Sequence, residues 1–433
     1  MSDAGIGVLG LVVLFGLIMI RIPVAIGLIL VGVGGYALVD GWHVATIVAG
    51  EVPYELAAGY SLSVVPLFVL MGAVAARSNM AQELFDSAHA LFSGRRGGLA
   101  MATVGACAAF GSICGSSLAT AATMTRVSVP EMLRHAYANT LATGSVVAGG
   151  TLGILIPPSV ILVIYAVIAE ESVAALFAAA LIPGLLLAAF QVLVVSAWCR
   201  IDRNVAPQSD RLPWLARLRA LGRAWKLLLL FGLSVGGIYL GLFSPTEAAA
   251  VGAGGAILIA LATRAIDREG LVSAFVETVT TTAMLFFIIL GATLFGRFIV
   301  LTQLPAALTG WVEGLALSPM LVIVVMVAFY FLLGCFLESI SMLLITVPVF
   351  LPLAVAIGYD PVWFGVLVVI VVEVGLMTPP VGMNLFVVRA QMPDIPLSAL
   401  YVGVMPFLLA NIALIAVLLA LPDVALWLPA LLY

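Results

Sequence analysis

The chain has 433 residues, 64% of them hydrophobic and 9% charged, with 17 Lys and Arg against 21 Asp and Glu for a formal net charge of −4. A soluble domain carries about 45–50% apolar and about 25% charged residues, so water is not the principal solvent of this chain and an ordinary soluble enzyme or binding domain is excluded. Charge so sparse also argues against a nucleic-acid partner and against a broad basic membrane-binding face.

The apolar stretches are continuous and do not alternate, which rules out a β-barrel and leaves an all-α polytopic membrane protein whose unit is a span of about 20 residues. In chain order, spans fall at 6–20, 22–39, 58–76, 137–169 and 173–199, then at 226–242, 245–264, 273–300, 360–388 and 399–421. No basic segment precedes the first run, which therefore reads as a span and not a cleaved signal. Two further segments, 97–128 and 319–354, are interrupted by GSICGSS and GCFLESIS. Each fits either a helix kinked by small residues or a re-entrant hairpin whose two short arms meet and leave their ends unpaired.

Repetition favours the hairpins. An offset of 222 residues carries Pro23 onto Pro245, Ser117 onto Ser339, Pro130 onto Pro352, Tyr137 onto Tyr359, Gly153 onto Gly375, and Pro157-Pro158 onto Pro379-Pro380. The expected organisation is a first repeat over 1–211, a cytoplasmic or interfacial connector over 212–225 and a second repeat over 226–433. Five crossings in each repeat, an odd number, make the repeats inverted. Arg and Lys concentrate in 77–96, 200–226 and 264–268 and are missing from 40–57, 169–172 and 301–318, which places the first set inside and both termini outside. The basic stretch with Trp214 and Trp225 suits either a helix on the inner leaflet or a plain linker.

The chemistry concentrates where helices break. In GGTLGILIPPSV (149–160) and EVGLMTPPVGMN (373–384), paired prolines remove two backbone donors and free the carbonyls before them. Freed carbonyls, with Thr151, Ser159, Thr378 and Asn384 as side-chain oxygen donors, suit a hard monovalent cation. The hairpin tips bring Ser112, Ser116 and Ser117 in one half and Gly334, Glu338, Ser339 and Ser341 in the other, and arm N-termini there offer N–H groups to a carboxylate. A lone serine in such a helix is more often a packing residue; position at a tip is what singles these out. Glu247, Glu338 and Glu373 are carboxylates at apparent membrane depth, where charge is costly; Glu338 stands out, whereas Glu247 suits a helix cap. His43, His89 and His135 are isolated, Lys226 is the sole lysine, and the four cysteines show no paired spacing, so catalysis finds no support.

Together, GSICGSSLATAATM (111–124), GGTLGILIPPS (149–159), FSPTEAAAVGA (243–253), GCFLE (334–338) with VPVFLPLAVAIGYDPVWFGV (347–366), and GLMTPPVGMNLFVV (375–388) resemble the large membrane subunit of TRAP-type transporters over nearly the whole chain. The resemblance implies an elevator-type secondary transporter of a bacterial or archaeal inner membrane, in which a transport domain carrying both hairpins slides against a scaffold. It implies sodium as coupling ion with no other cofactor, a small membrane subunit and a periplasmic substrate-binding protein as partners, and a small organic anion such as a C4-dicarboxylate or sialic acid as substrate. Family sodium sites fall on Ser112, Gly153 and Ile156, with Ser159 beside them, and on Gly334, Gly375, Thr378 and Val381, with Glu338 a further candidate ligand. Substrate is then expected between the tips, near Ser116, Ser117, Ser339, Thr378 and Asn384. A self-sufficient proton- or sodium-coupled anion symporter and an anion channel are the alternative readings.

Overall fold

The computed structural model describes residues 2–208 and 211–433, and among these every regular element is a helix. The two interrupted segments are hairpins, not kinked helices. Arm Gly98–Cys114 ends at Gly115, whose φ of +63° is costly for a residue with a Cβ. Arm Ser117–Arg134 starts after the Ser116 cap, and the two arms pack against each other. Pro319–Gly334 and Ser339–Ala356 form the second hairpin in the same way.

Both proline-paired segments are broken helices. Asn139–Leu155 and Val160–Ala169 are bent by 42° relative to each other, and Pro361–Met377 is separated from Met383–Gln391 by the second Pro-Pro. Every residue from Leu141 to Leu155 and from Val362 to Met377 is buried. A helix that is apolar on all sides belongs inside a bundle, and these two form its core.

The 222-residue offset reproduces helix boundaries to the residue: Ser117–Arg134 maps onto Ser339–Ala356, and Asn139–Leu155 onto Pro361–Met377. The match fails where the first half has two helices, Trp42–Ala58 and Val64–Arg77, and the second has the single 34-residue helix Arg268–Leu301. Pro53, Gly59 and Pro66 punctuate the first version, and no proline interrupts the second. The halves interlock crosswise. Ser117–Arg134 packs on Met383–Gln391, and Ser339–Ala356 on Val160–Ala169; likewise Val24–Val39 packs on Arg268–Leu301, and Pro245–Ala262 on Val64–Arg77. The hairpins and broken helices thus form one body, and the four remaining partners form a frame beside it.

Six of the expected crossings are helices of 18 residues or more, and the bent pair of the first half is a seventh. Asp3–Met19 and Val24–Val39, at 17 and 16 residues, and the second broken helix complete the ten. Three stretches read as loops, 40–57, 77–96 and 301–318, instead contain Trp42–Ala58, Met80–Phe92 and Leu304–Gly314, and a last helix, Asp423–Leu432, follows the tenth span. Met80–Phe92 carries Gln82, Glu83, Asp86, Ser87 and His89, so a search for unbroken apolar runs passes over it although one face is buried. The connector is helical as well: Trp214–Leu221 runs through Gly222–Ala224 into Trp225–Phe231, across the expected boundary at 225. The sole lysine, Lys226, pins this helix to Met80–Phe92 through a 2.7 Å contact with Glu83.

Candidate functional site

Each hairpin meets the broken helix of its own half through backbone contact. A Cβ on Gly111 would lie 2.2 Å from the Gly153 Cα, and a Cβ on Gly334 would lie 2.8 Å from the Gly375 Cα. Only glycine permits such an approach. The contact sets Ser112, the neighbour of Gly111, close to Gly153 in the first half and joins Gly334 to Gly375 in the second.

What surrounds these contacts is rich in oxygen. The i+4 donors of the Gly153 and Ile154 carbonyls would be residues 157 and 158, both proline, as residues 379 and 380 are for Gly375 and Leu376. The Gly375 carbonyl instead accepts from Thr378 N at 3.1 Å. The Pro158 carbonyl faces the first tip, 3.2 Å from where a Gly115 Cβ would be, and the Pro379 carbonyl lies 3.9 Å from Cys335 Sγ beside the second. The Ser112 hydroxyl donates to Ala109 O at 2.8 Å and the Thr378 hydroxyl to Val374 O at 2.6 Å. A hydroxyl that spends its proton on its own helix turns its remaining lone pairs outward, as a cation ligand must. The Tyr401 hydroxyl donates to Pro380 O at 2.7 Å and steadies the second break.

Not every expected residue has free donors. Ser159 lies at the first break, but its hydroxyl caps the following helix by accepting from Leu162 N. Val381 lies in the second break and Gly382 after it is left-handed, with φ +55°. Glu338 is the N-cap of arm Ser339–Ala356; its two oxygens accept from Ile340 N, Ser341 N and Ser341 Oγ at 3.1 Å each. The structure thus gives Glu338 a capping role that its sequence setting did not reveal. Glu247 forms a capping box with Ser244, as expected.

Ser116, Ser117, Glu338 and Ser339 line a cavity of about 230 Å³ between the two tips and the frame helices, to which Gly72 and Glu277 also contribute. Thr378 and Asn384 do not line it, and both are buried. Asn384 comes within 3.5 Å, and the Ser117 carbonyl within 3.3 Å, of the space beside Gly150, so the second broken helix touches both the first broken helix and the first tip. A second cavity of about 1110 Å³ is lined by Arg297 and Glu55, which pair with each other, and Arg297 also pairs with Glu51.

Several buried polar atoms have no partner: both oxygens of Glu373, both side-chain polar atoms of Asn384, and Thr120 Oγ1. Thr120 was not foreseen. It lies against Gly153 and Gly111, 2.7 Å from a Gly153 Cβ, and the offset pairs it with Met342, so the repeat that exposed the other residues concealed this one.

Residues 11–424 match the model of a family described as "Tripartite ATP-independent periplasmic transporter, DctM component". The chain is 38% identical over 378 residues to the C4-dicarboxylate TRAP transporter large permease protein DctM of Pseudomonas aeruginosa, covering 87% of this chain and 88% of that protein. It is 33% identical over 375 residues to the sialic acid TRAP transporter large permease protein SiaM of Vibrio cholerae, covering 86% and 87%. It is also 32% identical over 372 residues to the ectoine/5-hydroxyectoine TRAP transporter large permease protein UehC of Ruegeria pomeroyi, covering 85% and 86%. Among solved structures, the YdaH transporter of Alcanivorax borkumensis shares the fold, with a TM-score of 0.63 at 16% identity over 90% of each chain. With apolar helices throughout, duplicated hairpins and this match over nearly its whole length, the chain belongs to the DctM family, the large membrane permeases of tripartite ATP-independent periplasmic transporters.

Proposed function

We propose that this permease carries out sodium-coupled uptake of a small organic anion across the inner membrane by an elevator movement of the body that holds both hairpins. The observation that supports it most is the duplicated contact of hairpin and broken helix, at Gly111 with Gly153 and at Gly334 with Gly375, each beside freed carbonyls and an outward-facing hydroxyl. Ser112, Gly153, Ile156 and Ser159 frame one sodium site, and Gly334, Gly375, Thr378 and Val381 the other; Glu338 contributes negative field rather than a ligand atom. The donors are hard oxygens, most of them neutral, which fits a monovalent alkali cation as transported ion.

Substrate binds in the cavity at Ser116, Ser117 and Ser339, where the arms Ser117–Arg134 and Ser339–Ala356 direct their N-termini. Helix N-termini attract carboxylate. Thr378 and Asn384 are buried outside that cavity. Relatives that carry C4-dicarboxylates and sialic acid have carboxylate in common, and this reading extends that shared group to the present substrate. The family is tripartite, and the small membrane subunit and the periplasmic binding protein are the other two parts. The Arg and Lys distribution supports periplasmic termini, and the odd number of crossings in each repeat supports their inversion.

Two substitutions test the sodium sites. Ser112→Ala and Thr378→Val remove the hydroxyls while keeping size, and each should raise the half-saturating sodium concentration for uptake about tenfold, equivalent to about 1.4 kcal/mol. Sodium titrations of both variants that overlay the wild type would exclude these positions as ligands.

A further inference from the structure

Glu373 stands apart from the two proposed sodium sites. It projects from the buried helix Pro361–Met377 at 2% exposure, and neither carboxylate oxygen has a hydrogen-bond partner. The Ser117 and Ser339 hydroxyls, one from each hairpin tip, are the polar groups beside it, and the charged group that acts on it is another carboxylate, Glu338. Among the described residues no cation pairs with Glu373. Arg389, on the neighbouring Met383–Gln391, gives its guanidinium to the Pro393 and Ile395 carbonyls, and Arg126 of the first hairpin is exposed. Asn384, fully buried on Met383–Gln391, also leaves its side-chain oxygen unpartnered.

A carboxylate buried without a counter-charge costs several kcal/mol, and orphaned amide oxygens add to that cost. Such a group persists where a ligand completes it. The donors beside Glu373 are its own carboxylate and two hydroxyls, and the amide of Asn384 lies next to the Ser117 backbone on the helix that packs against the first hairpin arm. That set is hard and singly negative; it lacks the imidazole and thiolate of a transition-metal site and the several carboxylates of a calcium site. Among the described residues, no three His, Cys, Asp or Glu come together anywhere.

We propose that Glu373 and Asn384, with the Ser117 and Ser339 hydroxyls, form a third monovalent-cation site, set between the two hairpin tips and not within either half. Because its hydroxyls come one from each tip, a cation there ties the two hairpins together and places positive charge next to the cavity in which the substrate carboxylate would sit. The inference rests on the sodium-coupled reading but assigns residues that neither of the repeat-related sites uses.

The test is equilibrium binding of radioactive sodium ion to the solubilised complex of this chain with its small membrane subunit, without substrate. Glu373→Gln, which removes the charge and keeps the shape, should bind one sodium ion fewer per chain than wild type, and so should Asn384→Ala. If Glu373→Gln does not give a monodisperse complex, Asn384→Ala decides the matter alone. Unchanged sodium stoichiometry in Asn384→Ala and in a monodisperse Glu373→Gln would overturn this third site while leaving the other two standing. A wild-type complex that binds no sodium would overturn the coupling and the third site together.

Discussion

Gly375→Ala is expected to abolish sodium-dependent uptake, with a loss of at least about 100-fold. The added Cβ would lie 2.5, 2.8 and 2.9 Å from the Gly334 Cα, C and O. All three are backbone atoms, so no side-chain rotation relieves the clash and the second hairpin must withdraw from the break. Overpacking a tight site costs about 1–3 kcal/mol, and a displacement of about 1 Å in a positioned group costs on the order of 100-fold in rate. Gly153→Ala should be milder. Its Cβ meets Thr120 Oγ1 at 2.7 Å, the end of a side chain that can turn, and Gly111 Cα at 3.0 Å. Uptake and thermal stability of both variants, measured side by side, check the ordering; a Gly375→Ala protein that transports like wild type would mean the hairpin and break are not in contact.

Gly72→Leu has the second largest expected effect, by a different route. Gly72 belongs to the frame helix Val64–Arg77, and a Cβ there would lie 2.8 Å from Cys114 Cα and 3.0 Å from Cys114 O, at the tip of the first hairpin. The frame is itself braced at this level by Arg77, which pairs with Glu277 and Ser273 of Arg268–Leu301. On the proposed elevator movement the tip slides past this point, so a leucine wedged there should obstruct movement but leave the proposed sodium sites intact. Uptake should fall by at least about tenfold, a barrier increase of about 1.4 kcal/mol, with sodium binding to the solubilised complex unchanged. Loss of both together would place Gly72 in the binding machinery, contrary to the frame-and-body division.

Helix type, hairpins and broken helices were legible in the sequence because duplication turns ambiguous local signals into correlated ones, while the pairing of each hairpin with the broken helix of its own half followed from the family resemblance. A Gly-Ser interruption or a Pro-Pro pair has several explanations alone; the same feature at a fixed offset has few. What lay beyond reach had local causes. The helices Met80–Phe92 and Leu304–Gly314 are too short or too polar to register as apolar runs. Thr120 has no repeat partner to announce it, since its counterpart is Met342. The capping of arm Ser339–Ala356 by Glu338 depends on the chain direction after Leu337, and the isolation of Glu373 depends on which side chains from the neighbouring elements fail to reach it. Both are facts of three-dimensional assembly, which the order of residues does not state.

In the proposed mechanism this permease couples sodium entry to substrate delivery by a soluble binding protein. The most direct test is uptake of labelled C4-dicarboxylate and sialic acid into proteoliposomes that contain this chain with its small subunit, with sodium or choline outside and with the binding protein added or omitted. Uptake only when sodium and binding protein are both present is the predicted result; uptake indifferent to both would contradict the account and favour a self-sufficient symporter or a channel.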